Sequence, residues 1–148
     1  MRYLLKLFPL LLFAIVLLVS CGGGPEARTT VHDFLKALKT DTVSYDYLST
    51  MLDLDELVHE GAIYDYDSTI SEQANMDRFV NLLLPGGSVR DRWISNQIIV
   101  GNSEVLGDTT TVEVSFIDTN TKPVKQFYNK MGVHRMDGSW KIFAFKLF

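Results

Sequence analysis

The sequence predicts an α+β domain, with N-terminal helices packed on a four-stranded antiparallel sheet. Three observations predict it. Apolar residues between Pro25 and Leu84 recur at three- and four-residue spacing. From Trp93 onward the period changes to two. Turn-forming pairs then divide the second half into four consecutive segments. Helices followed by an unbroken antiparallel run give an α+β rather than an α/β arrangement.

The elements follow in order. Ala27, Val31, Phe34, Leu35 and Leu38 share one face of a helix over Pro25–Lys39, while Arg28, His32, Lys36 and Lys39 take other faces. Pro25 suits the first turn, where its missing N–H is not needed. A second helix is expected over Thr42–Leu52, with Leu48, Met51 and Leu52 inward. Asp53 and Glu56 form an Asp-x-x-Glu capping box for a short turn that Gly61 ends. Ala62–Tyr66 reads as a short strand or loop. A third helix is expected over Ser71–Leu84, stopped by Pro85-Gly86-Gly87.

Trp93–Leu106 reads as the first strand and Gly107-Asp108 as its turn. Val112, Val114 and Phe116 alternate with Thr111, Glu113 and Ser115 along the second. After a turn at Thr119–Lys122, the third strand is expected over Val124–Met136 and the fourth over Ser139–Phe148. Asp137-Gly138 between them is a strong hairpin signal, because a type I′ turn wants positive φ at both central residues.

The chain has 148 residues, 47% hydrophobic and 22% charged, with a net charge of −4. This is one domain with enough apolar material for a core. It excludes a disordered tail, a collagen and a disulfide scaffold. The acidic balance argues against a nucleic-acid partner.

The first twenty residues differ from the rest. Arg2 and Lys6 precede an apolar run, Leu7–Val19, broken only by Pro9. The run is about 13 residues, short of the ~20 that a spanning helix needs. A basic start, a short apolar run and small residues make a secretory signal peptide. The run ends Leu18-Val19-Ser20-Cys21-Gly22, which resembles the lipobox of bacterial lipoproteins. The resemblance implies cleavage between Ser20 and Cys21 and attachment of a diacylglyceryl group, which carries acyl chains such as palmitate, to the Cys21 sulfur. Acyl chains on Cys21 would anchor the chain to the membrane. Cys21 is the single cysteine, so no disulfide or cysteine-based metal site is expected. The expected organisation is a signal peptide over 1–20, a lipidated Cys and Gly tether over 21–24, and one α+β domain over 25–148. Removing Arg2 and Lys6 leaves 12 basic residues against 18 acidic ones in the mature chain, a net charge of −6. The expected location is the bacterial cell envelope. Gly22 lacks the aspartate associated with inner-membrane retention, so the outer membrane is favoured if the source is Gram-negative.

The order of elements, and especially Asp137-Gly138-Ser139-Trp140-Lys141-Ile142, resembles the nuclear transport factor two-like superfamily. The resemblance implies a curved four-stranded sheet wrapped round helices as a cone, with a pocket between them. It implies no single activity, because that fold hosts isomerases, dehydratases, dimerisation modules and non-catalytic lipoproteins.

Ten acids and no Lys or Arg lie between Asp41 and Asp77. An EF-hand starting at Asp53 fails, with Val58 at the glycine position and Tyr64 at the closing glutamate position. The stretch reads as a solvated face with helix-cap acids. Tyr45, Tyr47, Tyr64 and Tyr66 interleave with it. The histidines are His32, His59 and His134, too far apart in sequence for a His-x-x-x-His metal motif. His59 with Glu60 or Asp65 is a candidate acid–base pair. No catalytic residue, metal or cofactor is expected. Lys122, Lys125, Lys130, Arg135, Lys141 and Lys146 make the second half basic. The last strand is apolar on both sides, with Trp140, Ile142 and Ala144 opposite Phe143, Phe145 and Leu147. A pocket or interface is therefore sought at Trp93, Phe116, Tyr128, Trp140, Phe143 and Phe145. Three functions stay open. The favoured one is a non-catalytic envelope lipoprotein that binds a small ligand or a protein partner. The others are a small pocket enzyme of the isomerase or dehydratase kind, and a structural homodimer.

Overall fold

The chain's computed structural model describes residues 23–61 and 66–148. Cys21, Ser20 and the signal segment lie outside the described residues, as does most of Ala62–Tyr66. Helix α1, Gly23–Leu38, buries Ala27, Val31, Phe34, Leu35 and Leu38, the set its periodicity assigned inward. It starts inside the stretch read as a tether. Its C-terminal carbonyls, which have no partner within the helix, meet Arg90. Arg90 is only 4% exposed. Its Nε donates to Leu38 O at 2.7 Å, and its terminal nitrogen donates to Asp41 Oδ1 at 2.9 Å. A cation at the negative end of the dipole is favourable.

Helix α2, Tyr45–Met51, begins three residues later than expected, because the Ser44 hydroxyl accepts from Tyr47 N and fixes the cap there. Leu52 then bridges Ile142 in parallel, and Asp53 N donates to Ile142 O at 2.9 Å. Asp53 also caps the short α3, Leu54–Glu56, accepting from Glu56 N as the capping box foretold. A π turn, Leu57–Gly61, continues it.

Helix α4, Glu72–Asn81, is capped by Ser71 and stops three residues short of Leu84. The cause is Gly87. A Cβ there would lie 2.4 Å from the carbonyl oxygens of Asn81 and Leu82, so the chain folds back against the end of the helix. Helix α5, Ser88–Ile94, was not foreseen. It buries Val89, Arg90 and Trp93 on one side. Trp93 is therefore helical, and the first strand starts four residues later than its period suggested.

The strands are β1 (Gln97–Leu106), β2 (Thr109–Asp118), β3 (Lys125–Met136) and β4 (Ser139–Ala144), antiparallel in the order β1-β2-β3-β4. Asp137 and Gly138 have φ of 51° and 81°, as a type I′ turn requires. The sheet is bulged twice. Val100 pairs Val114 and Ser103 pairs Val112, so Gly101 and Asn102 oppose Glu113 alone. In β4, Ala144 pairs Gly132 and Ile142 pairs Val133, leaving Phe143 as the extra residue. That bulge corrects the two-sided picture of the last strand. Beyond it the alternation is reset, and Ile142 and Phe145 both enter the same core. Gly132 makes room for it, since a Cβ there would come within 2.8 Å of Phe143 Cζ.

Candidate functional site

Among the described residues, aromatic and aliphatic side chains pack together between helices and sheet. Trp93 lies 5.0 Å from Phe116, 5.5 Å from Phe145 and 5.9 Å from Phe148, ring centre to ring centre. Phe145 in turn meets Phe34 at 6.0 Å and Phe79 at 5.8 Å. Burial of such rings is worth roughly 1.5–3 kcal/mol each. The buried polar side chains among the described residues are Asn75, Arg90, Asn96, Thr110 and Asn129. Asn129 ties the tail to the sheet, donating to Lys146 O and accepting from Lys146 N.

The six residues proposed for a pocket or interface do not gather in one place. Trp93, Phe116 and Phe145 are core. Trp140 is half-buried against α1, its Nε1 donating to Glu26 Oε2 at 2.8 Å. Phe143 covers Gly132 and lies 4.7 Å from the His134 ring. Tyr128, 72% exposed, stands on the outer face of the sheet.

Two clusters of titratable groups emerge that the sequence did not assemble. In the first, His59 Nε2 lies 3.0 Å from Glu72 Oε1 and 3.8 Å from Asp55 Oδ1. The π turn sets His59 beside Asp55, and the start of α4 brings Glu72 to both. The Tyr66 ring lies 4.9 Å from that of His59. The hydrogen bond Asp55 shares with Glu72 pushes the Asp55 carboxyl above its ordinary range. The bond from His59 holds Glu72 below its own. One nitrogen and two carboxylate oxygens within 4.8 Å of each other could hold a divalent cation, and all three residues are exposed. His59 is seen here with Glu72 and Asp55, 13 and 4 residues away; the Glu60 side chain and Asp65 lie outside the described residues.

In the second cluster, His134 Nε2 lies 2.9 Å from Asp53 Oδ2, at an angle too poor for a hydrogen bond. This contact joins β3 to the cap of α3. The tyrosines disperse. Tyr45 accepts from Gln73 Nε2 at 3.0 Å, and Tyr47 lines a surface hollow of about 450 Å³ between α1 and α2 with Thr42 and Val43.

A second hollow, of about 470 Å³, runs between α1 and β1 past Arg28, His32, Ile98 and Val100. A smaller one of about 140 Å³ adjoins it, sharing His32, Ile98 and Val100 and reaching Lys36 and Lys39. Among the described residues no helix is long and apolar enough to cross a membrane.

A de novo designed NTF2 fold protein, NT-9, superposes with a TM-score of 0.54 at 20% identity, over 82% of each chain. The fold is nuclear transport factor two-like. At that identity the likeness carries the NTF2-like architecture alone. No family profile and no curated protein matches the sequence.

Proposed function

We propose that this chain is a non-catalytic lipoprotein of the bacterial cell envelope, anchored by lipid on Cys21, whose NTF2-like domain binds a protein partner. The observation that carries the reading is the filled cone. The aromatic cluster round Trp93 takes the place of an open pocket, and the described hollows lie on the surface. A small-molecule site needs a cavity of about 300 Å³ or more that buries its ligand, with convergent polar groups. The polar residues of the core are amides, a hydroxyl and the Arg90 guanidinium, which donates to the Leu38 carbonyl, while the His–carboxylate pairs at His134 and His59 stand outside the aromatic core.

The anchor rests on the lipobox resemblance at Leu18–Cys21. With α1 starting at Gly23, the domain would sit within two residues of the membrane surface. Metabolic labelling with palmitate in a bacterial host tests it. Wild-type chain should carry label in the membrane fraction and Cys21→Ala should carry none. Label that persists in Cys21→Ala overturns the anchor.

A further inference from the structure

We propose that the groove between α1 and the free edge of β1 captures an extended acidic segment of a partner protein, which adds to the sheet as a fifth strand. The proposal rests on the binding reading above and names the chemistry of the partner. Among the described residues the sheet order leaves β1 with a neighbour on one side only. Val100 O accepts from the Arg28 guanidinium at 3.1 Å, so this carbonyl points away from β2. In an antiparallel strand the N–H and C=O of one residue point the same way and alternate along the chain. Ile98 and Val100 therefore aim their backbone groups away from β2, and an added strand would take the Val100 carbonyl from Arg28, whose guanidinium would turn to the partner's acids. The pairing from Gln97 to Val100 is regular, and the bulge at Gly101–Asn102 ends the flat stretch.

Helix α1 runs antiparallel along this edge. Gly24 lies by Ser103, a Cβ there falling 3.1 Å from Ser103 Oγ, and Arg28 reaches Val100; Lys36 and Lys39 line the hollow that Ile98 and Val100 also line. Arg28, His32, Lys36 and Lys39 line the two adjoining hollows; the Asp33 carboxylate, 3.2 Å from His32 Nδ1, leaves Arg28, Lys36 and Lys39 as the cations that set the groove's sign. Their apolar floor is Ile98 and Val100. A cationic groove on a chain of net charge −4 selects an acidic partner.

The spacing fits a strand. Helical residues four apart rise about 6 Å, and strand residues two apart rise about 6.6 Å. Acids at alternate positions of an added strand would thus fall opposite Arg28, His32 and Lys36. The distance from Arg28 to Lys39 along the axis is about 16 Å, or about five strand residues. A second copy of this chain pairing through the same edge would set two basic grooves together, and is disfavoured.

The probes are fluorescent five-residue peptides: one alternating glutamate and valine, one alternating lysine and valine, and one with proline at the centre of the acidic series. Binding is read by anisotropy on the full lipidated chain in detergent, with hydrogen exchange at Ile98 and Val100. The acidic peptide should bind, weaken with salt, and slow exchange at both amides. The lysine and proline peptides should bind at least tenfold more weakly. The double variant Lys36→Glu, Lys39→Glu, altered only at exposed positions, should lose the acidic peptide by at least tenfold. Equal binding of the lysine peptide, binding without protection of Ile98 and Val100, indifference to the double variant, or no binding at millimolar peptide would each overturn the proposal. Each of these can occur with palmitate labelling intact, so loss of the groove and loss of the anchor are told apart.

Discussion

At the scale of the residue, Gly132 shows how one missing side chain shapes the sheet. It lies where β4 gains Phe143 as an extra residue, and the ring occupies the space a Cβ would need. A methyl at Gly132 would sit 2.8 Å from Phe143 Cζ and 3.1 Å from Ala144 Cβ. Gly132→Ala should therefore destabilise the domain by about 1–3 kcal/mol, the usual range for overpacking. Adding Phe143→Ala should recover part of that loss, because the clash is with the ring. Chemical denaturation of the two single variants and the double variant gives the coupling. Strict additivity would show that Phe143 does not cover Gly132. Nothing in the sequence marks this glycine, which stands between Met131 and Val133 in an otherwise regular strand. Turn glycines were legible by contrast, since Asp137-Gly138 announces its own backbone geometry.

At the scale of the element, most boundaries followed from local chemistry. The apolar stripe of α1, the Ser71 cap, the Asp53 capping box and the alternation along β2 all act within a few residues of themselves. The misses are positions where a distant partner decides. Helix α5 is short, and its buried face is made by Val89, Arg90 and Trp93, whose surroundings come from α1 and the sheet. A period-two count across Trp93 could not register that. The last strand failed for a related reason. Strict alternation assigned Ile142 and Phe145 to opposite sides, and one extra residue put both in the core. With both side chains in one core, truncation at either position should have similar effects. Ile142→Ala and Phe145→Ala should each cost about 2–5 kcal/mol. Tyr128→Ala, on the outer face, should stay within about 0.5 kcal/mol. Denaturation midpoints check all three, and a mild Phe145→Ala would restore the two-sided strand.

At the scale of the whole molecule, charge and shape separate two kinds of surface. The acidic stretch from Asp41 to Asp77 covers the small helices, while α1 carries its basic side chains along the β1 edge. The asymmetry was visible in the sequence as a difference between halves. Its useful form was not, because Arg28, His32, Lys36 and Lys39 belong to the first half and meet β1 only through the fold. The Asp55–His59–Glu72 cluster has the same origin: His59 and Glu72 are 13 residues apart and touch because the π turn and α4 are packed together. The superfamily resemblance supplied the architecture and an expectation of a pocket, and the aromatic residues of this chain close that space.

The central claim is that the cone is a core and that function is carried on the outside. Benzene tests it directly, as a small apolar probe that enters any dry cavity of sufficient size. The methyl resonances of Val112, Val114 and Ile142, which surround the interior, report its entry. In the wild-type chain benzene should leave them unmoved. In Trp93→Ala, where removal of the indole opens a void, the same resonances should shift and saturate. Saturable shifts in the wild-type chain would contradict the account, since they would reveal an open apolar pocket where Trp93, Phe116 and Phe145 are packed.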